Sequence, residues 1–423
     1  DLKLNNLKLE AAAINGIDNQ GSVANISVTD TLTLVNPHQS DINFAGDVFN
    51  ENGTLNISAG QIVLGSDAIN SNEDYISQNM LINGFNNISM TAASGAVGKG
   101  DMHLGFGNTG TNAIVTLSTP MLTVASGSSL SLNATNSALN LNSANSDPTI
   151  PAAIGGKLAL SADSVDIGSK IDMSGGLVNI NATNDIDING SIDVSGQEKL
   201  FYDKTEYIPA GMVSLSSENG DVNINPLTAE EGDIARIDIS SGSETGGKAG
   251  TLAISAAKGK ANLGGTIAAH GVENGGSFLL DVGSHSDFDT LFATLNQSGF
   301  DNQIAVRLRN GDMNIGAVST TVNGRDITLA ADSGSISLDK VTIDASGNVS
   351  TGGKGGEVAI WAGQDLNIGA NTITTTAATT ANKDGGDILL ASQSGTVAID
   401  NAARFYLGGF GNGRGGDLQI RAE

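Results

Sequence analysis

The chain has no cysteine, so disulfides contribute nothing to its stability. That suits a chain exported unfolded across bacterial membranes, and a cytosolic chain fits equally well. Proline is scarce, at 6 of 423 residues, and aromatics make up only 4%. Val, Ile, Leu and Ala are therefore left to fill a narrow interior. No window approaches the 18 or more apolar residues of a membrane-spanning helix, so no membrane span is expected. Basic residues are few, with 20 Lys and Arg against 45 Asp and Glu, for a net charge of −25. Nucleic acid and anionic membranes are poor partners for such a chain. The acidic excess reads first as solubility and resistance to side-to-side association. Binding of calcium or a cationic ligand is the alternative. The four histidines, His38, His103, His270 and His285, are scattered and make no metal spacing. The calcium-binding glycine-aspartate nonapeptide and the EF-hand loop are both absent. No metal or cofactor is expected. No secretory segment stands at Asp1, which implies a cytosolic chain, or a mature or excised piece. Repeats run into both ends, which favours an excised piece.

Glycine is plentiful, with 56 residues, and it marks a repeat. Gly355-Gly356-Glu357-Val358-Ala359-Ile360-Trp361-Ala362 returns from Gly385 and again from Gly415, a step of 30 residues each time. Earlier copies begin at Gly155 and Gly175. The form is Gly-Gly-x-φ-x-φ-x-Ala, with φ aliphatic: a glycine turn, then a short strand with alternate aliphatics inward. The copy from Gly385 contains three such strands, at 387–391, 396–400 and 404–407. Self-similarity at this period signals a solenoid. The expected fold is all-β: a right-handed parallel β-helix, one coil per repeat, with coils stacked about 4.8 Å apart. About 14–20 coils would make one continuous rod, roughly 70–100 Å long. Residues 1–150 repeat less regularly, and 151–423 repeat clearly. Ile171-Asp172-Met173-Ser174-Gly175, Ile192-Asp193-Val194-Ser195-Gly196 and Ile343-Asp344-Ala345-Ser346-Gly347 share a second pattern, with Ile inward and Asp outward.

Two insertions interrupt the repeats. The loop 197–209 carries two of the four tyrosines and a mixed charge run. Solenoids place recognition chemistry on such loops. Phe201, Tyr202 and Tyr207 are its candidate recognition residues; a flap that covers the core is the other reading. The segment 284–302 places Phe288, Leu291, Phe292 and Leu295 on one face of a short helix. Ser286 is the expected cap, with Asp289 in support, and Gly299 the stop. Its expected task is to lie over the repeats and bury that stripe.

Catalytic patterns fail on context. Gly105 to Gly110 and Gly411 to Gly416 match a dinucleotide glycine spacing but sit among strands. Gly242 to Ala249 resembles a P-loop but has Ala249 where a Ser or Thr must hold magnesium. Asp172 and Asp193, one coil apart, have the carboxylate spacing of a retaining glycosidase, yet a solenoid produces that spacing by construction. Such a pair is expected to splay into water, share a cation, or raise one pKa. No catalytic residue is assigned, although a carbohydrate-active β-helix stays as a third reading.

The Gly-Gly and Ile-Asp-φ-Ser-Gly repeats resemble those of the filamentous haemagglutinin family of large bacterial exoproteins. A more specific block runs from Gly276-Ser277-Phe278-Leu279-Leu280-Asp281, through the helical segment and Val306-Arg307-Leu308-Arg309-Asn310-Gly311-Asp312-Met313, to Gly413-Arg414-Gly415-Gly416. It is similar to one branch of that family. The resemblance covers 150–423 well. In the first part, Asn36-Pro37 is similar to the family's asparagine-proline motif, but His38-Gln39 departs from it. The resemblance implies two-partner secretion through an outer-membrane transporter barrel. It also implies residence outside a Gram-negative cell or on its surface, in adhesion, biofilm or competition. The function expected is a non-catalytic adhesive rod that contacts cell-surface glycans or proteins. A filament built by end-to-end stacking is the alternative.

Overall fold

A computed structural model describes residues 4–16, 21–36, 53–67, 76–107, 113–144, 146–226, 236–347, 352–379 and 382–423. The chain is nearly all β, with one helix among the described residues. Two compact units are present: residues 1–194 with 211–238, and 195–210 with 239–423.

In the first unit, each strand pairs in parallel with its equivalent one repeat later. Asp101–Gly107, Ser129–Asn142, Lys157–Ile167, Leu177–Ala182 and Met212–Ser217 follow one another in register. Alternate side chains point to opposite faces of a strand. One inward row is therefore Leu104, Leu132, Leu160, Ile180 and Leu215, all buried. A second wall runs from the irregular part of the sequence into the regular part. Ile57, Met90, Leu117, Leu141, Ile167, Ile188 and Ile224 stack in one buried line. The first 150 residues thus share the core of the clear repeats without sharing their motif. Their strands are longer, 13 residues in Gly53–Gly65 and 15 in Phe85–Lys99, and shift register partway along. A bulge bends such a strand where the later repeats use a turn. After Asp147-Pro148, the Thr149 N–H reaches the Ser94 carbonyl, and Ile150 packs on Gly95.

The second unit repeats the arrangement. Thr251–Ala256, Gly276–Val282, Phe300–Leu308, Asp326–Ala331, Glu357–Ala362, Ile388–Ser392 and Leu418–Ala422 pair in parallel. Two further walls are Met313–Ile315, Ile336–Leu338, Leu366–Ile368 and Val397–Ile399, and Thr320–Asn323, Val341–Asp344, Thr372–Thr374 and Arg404–Tyr406. The three strands expected from Gly385 onward are therefore present. In the earlier copies Gly155 and Gly175 sit at φ 74° and 67°, as a glycine turn requires, whereas the later glycine pairs work differently. Gly356, Gly386 and Gly416 have ordinary φ, but a Cβ on each would strike a carbonyl of the preceding repeat: Arg325, Gly356 and Gly386 respectively. Close stacking of backbones requires these glycines.

The helix spans Phe288–Ser298 and buries Phe288, Leu291, Phe292 and Leu295. It lies over Thr320–Asn323, where Asn296 donates to the Thr321 carbonyl at 2.7 Å. Gly299, at φ 88°, ends it in the left-handed conformation, as expected. The cap is Asp287, not Ser286: its carboxylate accepts from the Thr290 N–H and hydroxyl at 3.0 and 2.8 Å. Asp and Ser cap helices about equally well, so the direction of the Asp287 side chain decides. Asp289, half-buried, turns instead to the neighbouring turn, where it accepts from the N–H groups of Gly316 and Ala317 and from the Thr320 hydroxyl. Residues 300–302 belong to the next strand rather than to the insertion.

Candidate functional site

The segment 197–209 is an antiparallel hairpin, not an irregular loop. Gln197–Phe201 pairs with Lys204–Ile208, and Glu198 lies opposite Tyr207. The two strands form a sheet of their own. Leu200, Phe201 and Tyr202 crowd its tip, at 70%, 59% and 101% exposure. Tyr202 also sits at φ 56°, in the left-handed region. For a residue other than glycine that conformation costs about 1–2 kcal/mol.

Of the three residues singled out in the sequence, the structure brings Phe201 and Tyr202 together at the tip. Tyr207 lies at the base and is half-buried. Its hydroxyl meets the Thr245 hydroxyl at 3.0 Å, and its ring lies against Gly246. Glu198 accepts from the Ser243 and Thr245 hydroxyls at 2.7 and 3.0 Å. The stretch that resembles a P-loop is thus the turn beneath the hairpin, with Gly242 and Gly247 at φ 63° and 99°. Sequence reasoning missed Leu200 and this support. The signal for Leu200 was its place beside Phe201; nothing in the sequence pairs 198 with 243.

The other candidates lie in separate parts of the fold. Asp172 and Asp193 stand in register, followed by Asp238. Asp172 is only 8% exposed rather than freely outward, and Lys170 bridges its carboxylate at 2.6 Å. A neighbouring lysine therefore answers that charge. His103 pairs with Asp101 at 3.4 Å, and Ser129 donates to the same Asp101. In this cluster the serine hydroxyl and the imidazole thus share one carboxylate oxygen. His270 packs on Gly299, and the His285 ring meets the Asp287 carbonyl. Asn36 donates to the Asn79 carbonyl at 2.6 Å; Pro37, His38, Gln39 and Asn108 to Gly110 lie outside the described residues. Among the described residues no group of three or more His, Asp or Glu is placed to hold a metal ion. No described helix is long and apolar enough to cross a membrane. No family model, curated protein or solved structure matches the chain.

Proposed function

We propose that the chain is a right-handed parallel β-helix serving as an adhesive segment of a two-partner-secreted exoprotein of the filamentous haemagglutinin type. It would act outside a Gram-negative cell or on its surface, without catalysis. The hairpin tip is its contact point for cell-surface glycans or proteins. One observation carries this reading: Leu200, Phe201 and Tyr202 stand together at the tip with most of their surface in solvent. The positive φ of Tyr202 is what a two-residue hairpin turn needs at its first position, and it turns that side chain outward beside the other two. A cluster of large exposed apolar side chains marks a contact surface. Burying three large side chains supplies binding energy of about 1.5–3 kcal/mol each. Beads coated with the protein should adhere to epithelial and Gram-negative cell layers. Leu200→Ser with Phe201→Ser should abolish adhesion without changing the melting temperature. Full adhesion by that variant would remove the tip from the account.

A further inference from the structure

We infer that the turn Ser243–Gly246 is a clamp that fixes the direction of the hairpin tip, with Glu198, Tyr207, Ser243 and Thr245 as positioning residues rather than contact residues. This rests on the tip being the point of contact.

A two-stranded hairpin is marginal by itself. This one has no third strand beside it, so its orientation must come from its base. Backbone bonds tie the entry and exit: the Gly196 N–H reaches the Ser240 carbonyl at 2.8 Å, and the Ala210 N–H reaches that of Lys248 at 3.1 Å. Those bonds hold the two ends and leave the hairpin free to tilt. The clamp removes that freedom. Glu198 and Tyr207 are directly opposed, so they share one face, and the same threonine grips both. The proton order is consistent throughout. Tyr207 donates to Thr245 Oγ1, Thr245 donates to Glu198 Oε2, and Ser243 donates to the same carboxylate oxygen. The Thr245 N–H then closes onto Ser243 Oγ at 3.1 Å. Gly246 completes the seat, because a Cβ there would lie 2.6 Å from two carbons of the Tyr207 ring. These contacts hold strands whose outer residues add nothing to the core. A contact element held in its bound orientation loses less freedom on binding.

Hydrogen exchange of the amides in 197–208, measured alongside bead adhesion, tests the clamp. Thr245→Val keeps the shape and loses the hydroxyl; Thr245→Ser keeps the hydroxyl. Thr245→Val and Gly246→Ala should speed exchange by up to roughly tenfold, the worth of one or two hydrogen bonds. They should also weaken adhesion while the melting temperature stays unchanged. Thr245→Ser should restore both slow exchange and adhesion. Unchanged exchange in Thr245→Val overturns the clamp and leaves the adhesive tip standing. Faster exchange with full adhesion shows that the clamp does not serve contact, and also overturns it. If Leu200→Ser with Phe201→Ser adheres fully, the tip itself fails, and that outcome is read independently of exchange.

Discussion

Gly386 rests on the carbonyl of Gly356, and Gly416 rests on that of Gly386. Each glycine in this line lets one repeat approach the next, and an added methyl has only backbone to push against. Gly386→Ala should therefore destabilise the chain by about 1–3 kcal/mol, as overpacking does. Urea unfolding checks this, with Gly408→Ala as the control, since nothing lies within 4 Å of a Cβ there. A cost equal to the control's would mean that the stack relaxes freely. The 30-residue step made these positions legible in the sequence, but not their cause. A turn and a close approach call for the same residue, and only the φ values separate them. Asp172 was misjudged for a related reason. Strand alternation places it outward, but it is nearly buried there, and Lys170, two residues away on the same face, pairs with it.

The helix was legible because four large apolar residues fall at helical spacing in a chain built of alternation. Its start was not, since Ser286 and Asp287 are both good caps and only the direction of the Asp287 side chain decides. The hairpin was hidden because its charged residues blur a period of two. Acid should report on the carboxylates at turns. The Thr290 N–H and hydroxyl hold the Asp287 carboxyl below its ordinary value, and those of Thr396 do the same for Asp365. A carboxylate depressed in the folded state stabilises it above the unfolded pKa, and that contribution is lost as pH falls through the folded value. The melting temperature should thus hold from neutral pH to about 4 and fall below it. Asp365→Asn should show a shallower acid-side fall. An equally steep fall in that variant would exclude Asp365 as a contributor.

The scaffold and the proposed contact are separate parts of the chain. Buried aliphatic rows and stacked backbones supply the stability, while the exposed residues of 200–202 add no core. The repeats could be read from spacing alone. The proposed contact could be read only as an interruption, because nothing in a sequence distinguishes an exposed aromatic from one that covers the core. A net charge of −25 leaves few attractive long-range partners and gives weight to a local apolar tip. Tyr202→Gly tests this division most directly, because glycine accepts a positive φ without strain. The variant should melt at or above the temperature of the parent, and beads coated with it should no longer adhere. Adhesion retained in full by Tyr202→Gly would contradict the proposed contact.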